Sequence, residues 1–205
     1  NDKPVEIGLL QRHATDAYFA KPGTPLFTRA PASGKRVAVV GAGPAGLACA
    51  TVAAQRGHRV TLFDAAAEIG GQFNLARRIP GKEEFAETLR YFARRIERTG
   101  VCLHLERRID APALLAQGFD AVLLATGVMP RDPRIPGQDT PGVINYIDAI
   151  LDPGRVGARV AVIGAGGIGF DVAELLVHDR AHASPSLDLA AWKREWGVAD
   201  PQQVR

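Results

Sequence analysis

Gly41, Gly43 and Gly46 form a G-x-G-x-x-G in "VAVVGAGPAGLACA", residues 37–50. Glycines at this spacing suit dinucleotide binding. The first permits a tight turn, the second lets the backbone approach a pyrophosphate, and the third lets helix and strand pack closely. The helix that follows offers unpaired N–H groups and a positive dipole end to phosphate. Asp64 stands at the end of the next apolar run, where a carboxylate can accept hydrogen bonds from ribose hydroxyls. The pattern returns at Gly164, Gly166 and Gly169 in "VAVIGAGGIGFDVA", with Ala173 in the place of Ala50. The matching acid is absent there. Asp188 lies at a similar distance, but in "SPSLDLAAWK", which reads as a helix start with an exposed or capping carboxylate rather than a ribose ligand. The other reading of both turns is a tight strand–helix connection without a ligand. Two fingerprints in one chain point instead to two dinucleotides and to electron transfer between them.

This chemistry needs a strand before each turn and a helix after it. The expected elements are strand 36–40, a helix ending near Gly57 and strand 59–63, a βαβ unit of ordinary size. "EEFAETLRYFARRIERTG", 83–100, reads as a helix with Phe85, Leu89, Phe92 and Ile96 on one stripe and Gly100 at its end. Strands are expected at 101–105 and 120–127. The unbroken apolar run of the latter predicts burial on both faces. A strand over 159–163 and a helix to about Val177 complete the second turn, and no second strand follows. Residues 1–35 hold a helical pattern, "PVEIGLLQRHATDAYFA", then a Pro/Gly/Ser/Thr-rich connector. The fold class expected is α/β, a Rossmann-like two-dinucleotide-binding fold. Its divisions are a lead-in and linker at 1–35, a first dinucleotide-binding domain at 36–153, and the first part of a second at 154–205, which the resemblance described below implies to be the FAD-binding and NAD(P)H-binding domains.

Bulk properties narrow the classes. The chain has 205 residues, 46% of them hydrophobic and 23% charged, with a net charge of +3. No run approaches the roughly 18 apolar residues of a membrane span, and no secretory leader is visible. A cytoplasmic protein is expected, with no membrane and no nucleic-acid partner. The arginine pairs at 77–78, 94–95 and 107–108 read as solvated helix surface. Two cysteines, Cys49 and Cys102, build neither a disulfide framework nor a metal site, and both read as small buried apolar residues. The start at Asn1 suggests a piece of a longer chain. No catalytic residue and no metal ligand is nominated.

"GAGPAG", "IGGQ" and "LLATG" followed by a second glycine turn resemble the two-dinucleotide-binding flavoproteins, in which the first turn binds FAD and the second NAD(P)H. "VTLFDAAAEIGGQFNLARRIPGKEEFAETLRYF", "VAVIGAGGIGFDVAE" and "SPSLDLAAW…EWGV" are similar to the C-terminal part of bacterial NADPH-dependent 2,4-dienoyl-CoA reductases, over roughly residues 36–205. The resemblance implies FAD and NADPH as cofactors. It places Ala45 against the FAD pyrophosphate, Asp64 on its ribose, Gly71 and Gln72 of "GGQF" near the flavin, and Lys82 of "PGK" on the cofactor. Ile109 would hold the adenine through its backbone, and Thr126 and Gly127 belong to the return strand "LLATG". It also implies that the FAD domain is closed by a further segment. An iron–sulfur region and an FMN-binding barrel, which takes the enoyl-CoA-type substrate, would lie elsewhere in the same chain. "NDKPVEIGLLQRHATD" resembles instead the lead-in of glutamate synthase small subunits and dihydropyrimidine dehydrogenase-like proteins. An electron-input module for such an enzyme is therefore the alternative, and a non-catalytic nucleotide-binding domain a third reading. The redox cysteine pair that disulfide reductases of this fold carry after the first glycine region is missing from "EIGGQFNLARRIPGK".

Overall fold

The structure, a computed structural model, describes residues 5–20, 29–178, 184 and 187–199. The elements are α1 (Ile7–Phe19), β1 (Arg36–Val40), α2 (Pro44–Gln55), β2 (Arg59–Phe63), α3 (Phe73–Ala76), α4 (Phe85–Thr99) and β3 (Cys102–His104). Next come α5 (Ala111–Ala116), β4 (Ala121–Leu124), α6 (Tyr146–Leu151), α7 (Gly167–Val177) and α8 (Leu189–Glu195). The four strands form one parallel sheet in the order β3-β2-β1-β4. From β1 the chain runs to β2 and β3 on one side, then crosses to β4 on the other. The C-terminal end of β1 is therefore the topological switch point, the place where open α/β sheets bind ligands.

Alternation along the strands builds two apolar layers. Val37, Val39, Val60 and Leu62 point to one face and meet Leu47, Ala50 and Ala54 of α2 and Ile96 of α4. Leu47 and Leu62 are fully buried, each worth about 1.5–3 kcal/mol of transfer free energy. Ala38 and Phe63 point to the other face and meet Leu114 of α5. Leu89 and Ile96 of the expected α4 stripe are buried. Phe92 packs beside the first layer, whereas the Phe85 ring lies 4.5 Å from the ring of Phe73. Gly100 closes α4 at φ 71°, the left-handed C-cap. A third apolar cluster joins Ile79 to Ile150 of α6 and to Val172 and Leu175 of α7. At the start of the chain, residues 30–33 lie over the end of α2: the Ala30 N–H donates to Gln55 O and the Ser33 N–H to Gly57 O, both at 2.9 Å.

Three expectations are corrected. β4 is not buried on both faces. Val122, Leu123 and Leu124 are all exposed, Leu124 by 73%. Among the described residues β4 is an edge strand whose one ladder partner is β1, and an apolar run cannot report whether a second layer covers it. Residues 159–163 do not form a strand, and Val160, Val162 and Ile163 are exposed. A strand exists through its ladder, and among the described residues no strand runs beside this one. Cys102 is exposed rather than buried, with its Sγ 3.4 Å from His104 Nε2, while Cys49 is half-buried. Short β3 has β2 as its ladder neighbour and is the opposite edge of the sheet.

Candidate functional site

The two glycine turns have nearly the same backbone. Gly41 has φ +106° and Gly164 φ +114°, a region that side chains rarely adopt. A Cβ on Gly46 would run into the carbonyl oxygen of Gly41, and a Cβ on Gly169 into that of Gly164. The first and third glycines of each turn are thus required by the fold. Gly46→Ala is expected to cost about 1–3 kcal/mol, because backbone atoms must shift to admit the methyl group. A denaturant-unfolding midpoint equal to that of the wild type would contradict this.

The middle glycines differ. Gly43 has φ −74° and ψ 178°, and Gly166 has φ −87° and ψ −179°; each is the N-cap of its helix. Any residue adopts this extended conformation. A Cβ on Gly166 would meet nothing within 4 Å, and one on Gly43 only the Cα of Gly71 at 4.0 Å. The fold itself leaves both positions room for a side chain. Glycine here keeps the backbone bare beside the free N–H groups of a helix N-terminus, a surface that suits a pyrophosphate.

Three further segments converge on the first turn. Asp64 follows β2, and its carboxylate accepts from the Ala42 N–H at 2.5 Å and from the Ala66 N–H at 2.8 Å. The Asp64 side chain therefore tethers the glycine turn, and each oxygen keeps a lone pair for a further donor. The Gly70 N–H donates to Ala42 O at 2.8 Å. Gly71, at φ +51°, then lies so close that its Cβ would stand 3.1 Å from the Gly43 Cα. On the far side, Ala125 follows β4, and a Cβ on Gly41 would run into its carbonyl oxygen. The exposed Thr126 and Gly127, the latter at φ +74°, continue from it. Gly41, Gly43, Gly46, Asp64, Gly71, Thr126 and Gly127 are thereby gathered at the C-terminal end of the sheet, around the end of β1.

The remaining nominated residues sit around this centre. Ala45 is exposed on the first turn of α2. Gln72 is exposed at the N-cap of α3. Ile109 packs beside Phe63 and Leu114, and its loop is tied to the Asp64 loop by the Arg107 N–H donating to Asp64 O at 2.8 Å. Lys82 Nζ donates to Asp171 Oδ1 and Oδ2 at 2.6 and 2.7 Å. Its third N–H remains for another acceptor. Asp188 caps α8, accepting from the Ala190 and Ala191 N–H groups, and these two bonds lower its pKa below the usual carboxylate range. Among the described residues no cluster of three His, Cys, Asp or Glu side chains could hold a metal ion. No helix among them is long and apolar enough to cross a membrane.

Sequence reasoning missed three contributors. Ala42 uses both its N–H and its C=O to bind Asp64 and the Gly70 loop. Ala125 presses its carbonyl against Gly41. Asp171 holds Lys82. Alanine backbone roles leave no mark in the sequence, and an ion pair between residues 82 and 171 has no local spacing rule.

Comparisons with known proteins agree with this geometry. Residues 35–184 match the family model described as pyridine nucleotide-disulphide oxidoreductase. The chain is similar to the bilirubin reductase of Mediterraneibacter gnavus, 38% identical over 142 residues that cover 69% of this chain and 22% of that protein. It is also similar to the NADPH glutamate synthase small chain of Halomonas elongata, 33% identical over 189 residues that cover 82% of this chain and 39% of that protein. Among solved structures it resembles a 2-naphthoyl-CoA reductase in complex with 2-naphthoyl-CoA. The identity is 36% and the TM-score 0.63, over 72% of this chain and 23% of that one. The chain thus spans well under half the length of each of these relatives.

Proposed function

The chain belongs to the pyridine nucleotide-disulphide oxidoreductase family, and from that premise we propose that it is an electron-input module that takes hydride from NAD(P)H and delivers electrons through FAD to a further redox domain. The observation that carries this reading is the pair Gly43 and Gly166. Each is a glycine the fold does not need, set where a dinucleotide pyrophosphate must approach the backbone.

FAD would lie across the first turn and nicotinamide cofactor across the second. FAD, when bound, accepts a hydride and can release electrons one at a time. The protein's own work is binding and orientation. Gly41 and Gly46 shape the first turn, Gly43 and Ala45 line the pyrophosphate, and Asp64 accepts from the adenosine ribose. Gly71 and Gln72 border the flavin side, Ile109 offers its backbone to adenine, and Thr126 and Gly127 line the opposite wall. Gly164, Gly166 and Gly169 do the same work for the nicotinamide cofactor, with NADPH as the nucleotide.

Asp64→Ala is expected to lower both FAD content and thermal stability. It removes two bonds to a charged acceptor in the folded chain and two more to the ribose, each worth about 1.5–3 kcal/mol. FAD retained through dialysis at the wild-type ratio would sink the ribose assignment. The whole reading is tested by anaerobic titration of the purified protein with NADPH and with NADH, followed at the flavin absorption band. Bleaching by either nucleotide supports it, and an unreduced flavin under both refutes it.

The partner reaction we propose is reduction of an enoyl-CoA-type thioester by a 2,4-dienoyl-CoA reductase-like enzyme. Support comes from the "IGGQFN…IPGKEEF" segment and from the likeness to a reductase in complex with 2-naphthoyl-CoA, also a CoA thioester. The thioester, an FMN and an iron–sulfur cluster would be held outside these residues. The alternative, a glutamate synthase small-subunit-like module, draws on the first residues of the chain and on the larger share that the glutamate synthase match covers. NADPH-dependent reduction of a 2,4-dienoyl-CoA by the assembly purified from its host favours the first. Glutamate formation by that assembly favours the second.

A further inference from the structure

One segment touches the first glycine turn and the helix that follows the second. At one end of residues 70–82, the Gly70 N–H is bonded to Ala42 O and Gly71 lies against the Gly43 Cα. At the other end, Ile79 is 2% exposed and packs on Val172 and Leu175 of α7. Lys82 Nζ grips both carboxylate oxygens of Asp171, five residues beyond the Gly166 N-cap of that helix. The link between the ends is stiffened locally. Asn74 Nδ2 donates to Ile69 O at 3.0 Å, and successive turns run from α3 through Ile79 N–H→Ala76 O to Lys82 N–H→Ile79 O.

We propose that residues 70–82 are a strut that fixes the separation of the two dinucleotide turns, with Lys82 and Asp171 as positioning residues for electron transfer between them. The inference rests on the two-dinucleotide reading above. The apolar contact at Ile79 fixes where the strut meets α7, but apolar packing is weakly directional. The two short bonds of Lys82 to one carboxylate define the azimuth and height of α7 at its pyrophosphate end. The pair is 40% and 32% exposed, so salt screens it in part. Its role is therefore geometric rather than one of bulk stability. Geometry matters because a misplacement of about 1 Å between reacting groups can cost about a hundredfold in rate.

The test uses Lys82→Met, Asp171→Asn, Lys82→Arg and the charge-swapped Lys82→Asp/Asp171→Lys. Nicotinamide affinity is measured by equilibrium titration, and flavin reduction by stopped flow. The expected result for either single neutral variant is a fall of roughly tenfold in reduction rate, with nucleotide affinity changed less than about twofold. Lys82→Arg and the charge swap recover most of the rate. A second readout is independent of activity. Spin labels at Ala48→Cys on α2 and Glu174→Cys on α7, both exposed positions, in a Cys49→Ala/Cys102→Ser background, should give a broader distance distribution once the pair is broken.

Wild-type rates with an unchanged distance distribution would overturn the proposal. So would loss of bound FAD in Lys82→Met but not in Asp171→Asn, which would make Lys82 a cofactor ligand instead. If the wild type shows no flavin reduction by either nucleotide, the functional reading fails, and the distance distribution alone decides the strut.

Discussion

Gly43→Val is expected to give a folded protein that does not hold FAD. Valine can adopt the φ of −74° at this position, and the fold offers its Cβ no clash. Exchanging glycine for valine at an N-cap costs about 1 kcal/mol of helix stability, which the core under α2 tolerates. The branched side chain would instead stand on the surface that the pyrophosphate needs. Its two methyl groups shield the N–H groups of α2 and hold the phosphates at van der Waals distance. A weakening of FAD binding by roughly a hundredfold or more, about 2.7 kcal/mol, is expected. Flavin-to-protein ratio after gel filtration measures it, alongside a melting curve. A variant as yellow as the wild type would remove the main support for the proposed function.

Gly166→Val should separate the two sites. FAD content is expected to stay at the wild-type level, since Gly166 belongs to the second turn. Reduction of that FAD by NADPH should fall roughly a hundredfold at sub-saturating nucleotide, the same steric argument applied to a turn of the same backbone shape. Gly169→Val makes the control. Its Cβ meets the carbonyl oxygen of Gly164, so it should disturb the fold of the turn rather than binding alone. Single-turnover flavin reduction reads both. Reduction of Gly166→Val at the wild-type rate would mean that the nicotinamide cofactor binds elsewhere.

What the sequence by itself determined was local. The periodicity around residues 36–63 and 85–99 and the spacing of six glycines depend on neighbours a few positions apart. Backbone sterics act at that range, so the first and third glycines of each turn could be assigned their roles before any contact was known. Asp188 as a cap was legible for the same reason, since a carboxylate reaches N–H groups two and three residues on. The middle glycines were assigned to the approach of a pyrophosphate, and only the structure showed that nothing in the fold forbids a side chain there. Tertiary structure alone decided the rest. "AVLL" at 121–124 has a composition that suits a buried strand, and it became an exposed edge because, among the described residues, β1 alone flanks it. "RVAVI" at 159–163 has the same character as "RVAVV" at 36–40. Among the described residues, 36–40 found two parallel partners and 159–163 found none. Strand formation and burial are properties of a neighbourhood, and a neighbourhood is assembled by residues far apart in the chain. Lys82 met Asp171 for that reason too: their pairing was set by where the Ile79 cluster docks α7, a distance that no local pattern encodes.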